Sequence, residues 1–303
     1  MSRPLRIGTR GSKLALWQAN EVARRLVDAE FQTEIIPIRT TGDKRRSASL
    51  ASIGGKGVFI KELEEALLAG TIDLAVHSLK DVPSIVPSRF ALAAFLERGD
   101  PRDAWVQRNS IPLGELHARA KVGTSAPRRR AQLRSLRPDL HLEEIRGNVD
   151  SRVAKVRSGE YDGAVLAAAG LMRLGLDAEI TSHFSVEEMI PAAGQGIIVV
   201  ETADDRSRAA VEIINDWRAA LAARCERGVL QKFGNLLDCH SAVAVHTTID
   251  RGITVRAFFG EIDGVRSVRV TKSGTDPKEV IGAVYDALIS QGAEELLRWP
   301  DNR

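Results

Sequence analysis

Short apolar runs alternate with longer amphipathic stretches over the first two thirds of the chain. Residues 5–9 have the composition of a buried strand, and residues 13–28 repeat apolar side chains at helical spacing behind Ser12, a good N-cap. Residues 34–39 form a second apolar run, so the chain opens as strand, helix, strand. This order recurs and predicts α/β units. We predict further strands at residues 74–76, 121–123, 140–145, 164–168 and 197–201, and further helices at 58–69, 128–136, from 149 and at 207–232.

The last quarter of the chain has a different pattern. The pattern predicts three successive strands, at residues 243–249, 253–259 and 265–271, and then a helix at residues 277–290. This mixture indicates a small α+β unit. We therefore predict three folded units: an α/β unit of residues 1–98 and 197–216, a second α/β unit of residues 102–192, and the α+β unit of residues 220–303.

The composition is that of an ordinary folded protein. The chain has 303 residues, of which 44% are hydrophobic and 27% charged, so disordered, collagen-like and disulfide-scaffold classes are excluded. No apolar signal segment or membrane-spanning run occurs, which predicts a cytoplasmic protein without a membrane partner. Two cysteines, Cys225 and Cys239, are too few for a disulfide framework and are expected to be free thiols.

Positive charge is concentrated in one region. The net charge is only +3, yet residues 119–157 contain eleven basic and four acidic residues. Such a region attracts a polyanion, which could be nucleic acid, phosphate or a multiply carboxylated small molecule. Nucleic acid is not favoured, because no aromatic residue lies between Val106 and Glu160 to stack on bases. Arg130, Arg134 and Arg137, taken singly, are predicted to lie on a solvated helix face.

Polar side chains cluster where predicted strands end. Ser78, Lys80 and Asp81 follow the strand at 74–76, and ligands bind at this end of strands in open α/β sheets. Two arginine clusters, around Arg128 and Arg146, fall where a strand leads into a helix. The free N–H groups of a helix start also favour anions. Both effects predict an anionic ligand at these positions.

Two other kinds of site are not expected. The polar segment 40–57 contains Gly54-Gly55-Lys56-Gly57 and is predicted to be a mobile lid, because it lacks the GxxxxGK[ST] frame of a nucleotide phosphate loop. The six histidines show no paired metal-ligand spacing, so no metal is predicted.

Eight short motifs follow one another along the first two predicted units. They are Arg6-Ile7-Gly8-Thr9-Arg10-Gly11-Ser12 with Leu14-Ala15-Leu16-Trp17-Gln18-Ala19, Gly54-Gly55-Lys56-Gly57, His77-Ser78-Leu79-Lys80-Asp81-Val82-Pro83, Glu97-Arg98-Gly99-Asp100-Pro101-Arg102-Asp103, Gly123-Thr124-Ser125 with Arg128-Arg129, Arg146-Gly147-Asn148-Val149 with Arg152, Ala169-Gly170-Leu171 with Arg173-Leu174-Gly175, and Pro191-Ala192-Ala193-Gly194-Gln195-Gly196. In this order they resemble the hydroxymethylbilane synthase (porphobilinogen deaminase) family.

The resemblance implies two α/β domains like those of periplasmic binding proteins, followed by a smaller α+β domain. It implies a transferase of haem biosynthesis that joins four porphobilinogen molecules head to tail, releases ammonia, and uses a covalent dipyrromethane cofactor as primer. Each porphobilinogen carries two carboxylates, which accounts for the excess of arginine. A monomer is expected, with no nucleic-acid partner.

The resemblance also implies roles for individual residues. The catalytic aspartate matches Asp81, which would stabilise the cation formed when ammonia leaves and would move protons. The cofactor-binding positions match Cys239 as covalent anchor, Lys80, Asp81, Ser125, Arg128, Arg129, Arg146 and Gly147. The substrate-binding positions match Arg10, Ser12, Gln18, Lys56, Arg146, Arg152 and Arg173.

The segment around the anchor departs from the family pattern. The family has a Gly-Gly-Cys-like turn, whereas here Leu237-Asp238 precedes Cys239. Cys239 is still favoured over Cys225, because Cys239 falls at the helix-to-strand junction that opens the third unit and Cys225 lies inside a predicted helix. A two-lobed anion-binding protein without chemistry, or a homologue without the primer, remains the alternative.

Overall fold

The computed structural model describes residues 3–39, 60–237 and 241–297. Contacts between Cα atoms divide the chain into two compact units, which are described separately. Unit 1 comprises Met1–Gly99 and Gly196–Leu221, and unit 2 comprises Asp100–Gln195 and Ala222–Arg303. The predicted third unit of residues 220–303 falls almost entirely in unit 2, and its independence stays a prediction.

The elements are numbered in chain order over the described residues. The strands are β1 (Leu5–Arg10), β2 (Thr33–Ile38), β3 (Leu74–Ser78), β4 (Ala91–Phe95), β5 (Asp103–Val106), β6 (Lys121–Gly123), β7 (His141–Glu143), β8 (Gly163–Ala167), β9 (Ile180–His183), β10 (Ile198–Thr202), β11 (Ala242–Ile249), β12 (Ile253–Gly260) and β13 (Ser267–Gly274). The helices are α1 (Lys13–Asp28), α2 (Lys61–Leu68), α3 (Pro127–Leu136), α4 (Val149–Arg157), α5 (Ala168–Arg173), α6 (Asp205–Val211), α7 (Trp217–Phe233), α8 (Pro277–Ser290) and α9 (Ala293–Leu297).

Unit 1 is built on one five-stranded sheet with the order β2-β1-β3-β10-β4. β1 lies parallel to β2 and β3, whereas β10 is antiparallel to β3 and β4. Helix α1 begins as predicted, since the Ser12 side chain accepts a hydrogen bond from the Ala15 N–H. Its face with Val22 and Leu26 is buried against Ile7 of β1. This packing explains why the apolar residues recur at helical spacing.

Unit 2 contains a second five-stranded sheet and a small antiparallel one. The five-stranded order is β7-β6-β8-β5-β9, with β6 parallel to β7 and β8 and with β5 antiparallel to β8. The small sheet has the order β11-β12-β13, and α8 packs on it. Ala131 of α3 shares a buried cluster with Ala242, Ala244 and Phe258 of the small sheet. The predicted α/β class with an α+β C-terminal part is confirmed.

The single long helix predicted at residues 207–232 is wrong. A short 3-10 turn and residues Asn215 and Asp216 separate α6 from α7. Asn215 Oδ1 accepts the N–H of Phe95, and the Asp216 N–H donates to the Phe95 carbonyl at 2.7 Å. Asp216 Oδ1 then accepts the Ala219 N–H at the start of α7. These polar contacts with β4 replace helical hydrogen bonds.

Strands β4, β5 and β9 were not predicted from the sequence, and each pairs antiparallel with a partner distant in the chain.

Within residues 3–39, 60–237 and 241–297, no helix combines the length and the hydropathy needed to cross a bilayer.

Gly163, the first residue of β8, packs directly against Trp105, so its substitution tests the packing of unit 2. A Cβ atom there would lie 2.1 Å from Cη2 of Trp105. Trp105 is fully buried, and its indole N–H donates to the Ile111 carbonyl at 2.9 Å, so the ring cannot move aside freely. We expect Gly163→Ala to lower the free energy of unfolding by about 1–3 kcal/mol in urea titrations.

The matched control is Gly114→Ala, because a Cβ at Gly114 would meet nothing within 4 Å. We expect this variant to stay within about 0.5 kcal/mol of the wild type. Equal losses at both positions would show that contact with Trp105 is not the cause.

Candidate active site

One group of predicted site residues lies at the carboxyl edge of the sheet in unit 1. β1 and β3 are parallel neighbours and therefore end at the same edge. Arg10 is the last residue of β1 and Ser12 follows it closely, and Lys80 and Asp81 lie in a 3-10 turn directly after β3. Asp81 is exposed and Lys80 is half-buried. The strand pairing thus brings the predicted catalytic aspartate to the edge where Arg10 and Ser12 also lie.

Two hydrogen bonds hold the start of the Asp81 turn. The Leu79 N–H donates to the Ile197 carbonyl at 3.0 Å, and Gln18 Nε2 donates to Ser78 Oγ at 2.7 Å. Gln18 is buried, with 3% of its surface exposed. Gln18 is a predicted substrate-binding residue, and its side chain contacts Ser78, the last residue of β3.

A buried pair behind this turn was missed by the sequence reasoning. His77 Nε2 lies 3.0 Å from Glu201 Oε2, and both side chains are buried. The pair links β3 to β10, which are adjacent antiparallel strands. Ionisable residues inside two apolar runs are the signal that could have revealed it, because a buried charge requires a partner.

The second group of predicted residues lies at the carboxyl edge of the five-stranded sheet in unit 2. β6, β7 and β8 run parallel, and helices α3, α4 and α5 start just beyond their ends. Helix starts present free N–H groups, so this edge favours anions even before side chains are considered. The predicted residues found at or near this edge are Ser125, Arg128, Arg129, Arg146, Gly147, Arg152 and Arg173.

Local contacts shape the turn between β7 and α4. The Ser125 hydroxyl donates to the Ile145 carbonyl, which joins this turn to the one before α3. Arg152 Nε donates to the Gly147 carbonyl at 2.8 Å, and Gly147 has φ +113°, a conformation that favours glycine. Arg146 Nη2 pairs with Glu144 Oε2 at 2.8 Å, and this hydrogen bond raises the pKa of Arg146.

Arg128 and Arg129 are buried and share one carboxylate. Arg128 Nη1 donates to Asp103 Oδ2 at 2.6 Å, and Arg129 donates to Asp103 Oδ1 from both Nη2, at 2.7 Å, and Nε, at 3.0 Å. Arg128 Nη1 also reaches the Ile190 carbonyl, and Arg129 Nη1 reaches the Val165 carbonyl. Asp103 is fully buried at the first position of β5.

This cluster contains more positive than negative charge. Burial alone would raise the pKa of Asp103, but Arg128 and Arg129 outweigh burial and hold that pKa well below its usual range. Burial lowers the pKa of Arg129, and the neighbouring Arg128 lowers it further. Two guanidinium groups against one carboxylate leave a surplus positive charge, which an anionic ligand would neutralise.

Gln195 completes the cluster. Its Nε2 donates to Asp103 Oδ1 and to the Pro101 carbonyl, each at 2.8 Å, and its Oε1 accepts from Arg128 Nη2 at 3.0 Å. Asp103 and Gln195 each belong to one of the eight motifs, but neither was predicted to be a site residue. An acidic residue heading the apolar run Ala104-Trp105-Val106 is the sequence signal for a buried ion pair.

The expectation that Arg134 and Arg137 lie on a solvated helix face is wrong. Arg137 donates to the carbonyls of Leu113 and Leu116 and pairs with Asp139 at 2.7 Å. Arg134 Nη1 donates to the Leu140 carbonyl at 2.9 Å. Arg134 thus binds a carbonyl of the segment after α3, and Arg137 binds carbonyls of the segment before it. Helical spacing alone does not reveal contacts with segments outside the helix.

Of the two cysteines, Cys225 lies among the described residues. Cys225 is fully buried in α7, as expected for a packing residue, and burial raises the pKa of its thiol to about 11. A thiol with this pKa is a poor nucleophile at neutral pH. Cys239 and Lys56, the predicted anchor and a predicted substrate ligand, lie outside the described residues, as does the predicted lid.

The fold and the donor set together define an α/β protein with clustered cationic donors at the carboxyl ends of its strands, a donor set suited to a polyanion. Residues 5–211 match the family model described as "Porphobilinogen deaminase, dipyromethane cofactor binding domain". The chain therefore belongs to the porphobilinogen deaminase family, as the motifs indicated.

Curated relatives match almost the whole chain. A porphobilinogen deaminase of Desulfitobacterium hafniense is 42% identical over 299 residues, which cover 97% of this chain and 96% of the relative. One of Geobacter sulfurreducens is 42% identical over 300 residues, with 97% and 93% covered.

Solved structures show a partial likeness to this chain. A periplasmic substrate-binding protein from Coxiella burnetii is 15% identical with a TM-score of 0.43, covering 74% of this chain and 96% of that chain. The sulphonate-binding protein SsuA from Escherichia coli is 15% identical with a TM-score of 0.40, covering 78% and 71%.

The Asp103 cluster predicts a specific dependence of stability on pH. Asp103→Asn removes the carboxylate but leaves both guanidinium groups buried, so we expect a loss of about 3–5 kcal/mol at pH 7. The folded pKa of Asp103 is lowered, so its contribution is complete above the unfolded pKa of about 3.9 and is lost as pH falls towards the folded value. Urea unfolding of both proteins between pH 7 and pH 3 should show the difference shrinking below about pH 4. A difference that stays constant with pH would contradict this account.

Proposed function

We propose that this chain is a hydroxymethylbilane synthase, a transferase that joins four porphobilinogen molecules head to tail and releases ammonia at each addition. The observation that carries the proposal is the surplus positive charge of the Asp103 cluster, at the edge where further arginines gather, in a chain of the porphobilinogen deaminase family. Each pyrrole ring of the growing product carries two carboxylates. Fixed guanidinium groups are the donors best suited to bind many carboxylates in defined positions.

The buried and the accessible arginines have different tasks in this proposal. Arg128 and Arg129 supply a preorganised positive field and their remaining N–H groups to the primer, together with Lys80, Ser125, Arg146 and Gly147. Substrate carboxylates are bound by accessible donors. These substrate donors are Arg10, Ser12, Arg146, Arg152 and Arg173, with Gln18 acting through Ser78. Lys56, which lies outside the described residues, is proposed as a further substrate donor.

The donor set of unit 2 fits a dipyrromethane, since a dipyrrole with four carboxylates needs several cations and unit 2 has a buried surplus of them. When bound, this cofactor supplies the pyrrole carbon to which the first substrate ring is joined. We propose a thioether to Cys239 as its attachment. Cys225 is unsuitable, because its thiol is buried and its pKa is about 11.

Asp81 is proposed as the catalytic residue. Loss of ammonia from porphobilinogen leaves positive charge on the pyrrole ring, and a carboxylate beside the ring nitrogen stabilises that charge where it develops. The same carboxylate can give a proton to the departing amine and take one from the attacked ring carbon. The position of Asp81 supports this role, because it is exposed at the end of β3 on a turn held by buried hydrogen bonds.

The alternative of a non-catalytic anion-binding protein is not favoured, because the family match covers nearly the whole chain. We further propose that the protein acts as a monomer in the cytoplasm. We also propose that residues 220–303 form the domain carrying the cofactor anchor, that residues 1–98 with 197–216 carry Asp81 and the lid, and that residues 102–192 carry the arginine-rich binding site.

Intact mass spectrometry of the purified protein is the primary test. We expect wild type and Cys225→Ala to carry the mass increment of one dipyrromethane, and Cys239→Ser to lack it, because only Cys239 would serve as the anchor. Active enzyme without the increment, or an adduct on a Cys225 peptide, would contradict the assignment.

Substitution of Asp81 tests the chemistry. Asp81→Asn keeps the size of the side chain but removes its charge, so we expect ammonia release in a single turnover to slow by ~10²–10³ with little change in porphobilinogen affinity. Asp81→Glu keeps the charge and should retain more activity than Asn. Release at the wild-type rate by Asp81→Asn would make Asp81 a structural turn residue.

A further inference from the structure

Glu226 is a buried carboxylate that takes no part in the proposed chemistry. It lies in α7 with no exposed surface, and its two oxygens accept backbone N–H groups from two separate segments. The Gly194 N–H donates to Oε2 at 2.6 Å, and the Thr247 N–H of β11 donates to Oε1 at 2.7 Å. His246 Nδ1 lies 3.7 Å from Oε1. Glu226 therefore joins β11 to the segment around Gly194 through α7.

The segment that Glu226 holds leads directly to the arginine cluster. Gly194 is bonded to Gln195, and the Gln195 side chain contacts both Asp103 and Arg128. Gln195 is itself fully buried, so it has little freedom to reorient. The path from the Glu226 carboxylate to the Arg128 guanidinium thus runs through the Gly194 hydrogen bond, the Gly194–Gln195 peptide bond, the Gln195 side chain and its hydrogen bond with Arg128.

The two N–H contacts explain why a carboxylate occupies this position. A buried ionised group stabilises a fold no better than an apolar side chain of similar volume, because its desolvation is costly. An apolar residue would, however, leave the buried Gly194 and Thr247 N–H groups without this acceptor. The two directional contacts point to a geometric role.

We propose that Glu226 is a positioning residue that sets Arg128 and Arg129 for binding the carboxylates of the primer. It acts through Gly194 and Gln195, and it touches no ligand itself. The same carboxylate fixes β11 relative to this cluster through the Thr247 N–H. The inference rests on the proposed function, because it concerns how well the arginine pair binds the dipyrromethane.

Glu226→Gln is the direct test. The amide keeps one acceptor oxygen, but its NH2 group faces a backbone N–H and cannot accept it. Val284→Ala is the control, because Val284 is fully buried in α8 of the same unit and makes no polar contact with the cluster. Both variants should lower the Tm. The ratio of unprimed to primed protein, measured by intact mass on freshly purified samples, should rise only in Glu226→Gln.

We expect that ratio to rise about tenfold over the control, the lower end of the loss seen when the partner orienting a ligand is removed from a metal site. The primed fraction of Glu226→Gln should also show a lowered kcat with a smaller change in the KM for porphobilinogen, because the primer is displaced while the substrate donors are unchanged. Loading of Glu226→Gln equal to that of Val284→Ala would overturn the inference.

Gln195→Met provides the second measurement and decides the matter if Glu226→Gln does not fold. It breaks the path at its other end while leaving both acceptor oxygens of Glu226 in place, and it should impair loading to a similar extent. Because both residues act on the same arginines, the double variant should be little worse than either single one. Normal loading of Gln195→Met, or fully additive losses, would overturn the inference. A wild-type protein that carries no primer and releases no ammonia would instead overturn the proposed function, and the inference with it.

Discussion

A single carboxylate holds two adjacent guanidinium groups inside unit 2, and the arrangement of the binding edge depends on it. Asp103 starts β5, Arg128 and Arg129 lie in the first turn of α3, and each guanidinium also donates to a distant carbonyl. The ion pairs join β5 to α3, and the two carbonyl contacts join α3 to β8 and to the segment before β10. Removing the carboxylate would leave two uncompensated buried charges, which is among the most destabilising changes a core can undergo.

The same cluster shows how a structural interaction can prepare a ligand site. One negative charge against two positive ones keeps the guanidinium groups ordered and leaves a net attraction for anions. Groups that are already oriented and desolvated bind a charged ligand with less reorganisation than flexible surface side chains. Arg146 lies in the turn before α4 and Arg152 in α4 itself, and both are partly exposed. In the proposed function the buried arginines would hold the primer and the partly exposed ones the rest of the polycarboxylate.

Strand direction explains why residues far apart in the chain share an edge. Parallel pairing of β1 with β3 brings the segments after Arg10 and before Asp81 together, and parallel pairing of β6 with β7 and β8 does the same in unit 2. The buried pair of His77 and Glu201 and the hydrogen bond from Gln18 to Ser78 then hold the turn that presents Asp81. Packing in the interior determines where this exposed carboxylate lies.

Much of the fold followed from the sequence alone, because local spacing reports local structure. The helices at α1, α3 and α8, the strands β1, β6 and β11, and the strand-end positions of Asp81, Arg128 and Arg146 were all predicted from periodicity, capping residues and motifs. Only the tertiary structure decided which charges are buried and with what partner. Asp103 pairs with residues about 25 positions away, Glu226 with backbone groups of two separate segments, and Arg137 with carbonyls before α3. Hydrophobic spacing records how one element faces a core, whereas a buried ion pair depends on contacts between elements that no local pattern encodes.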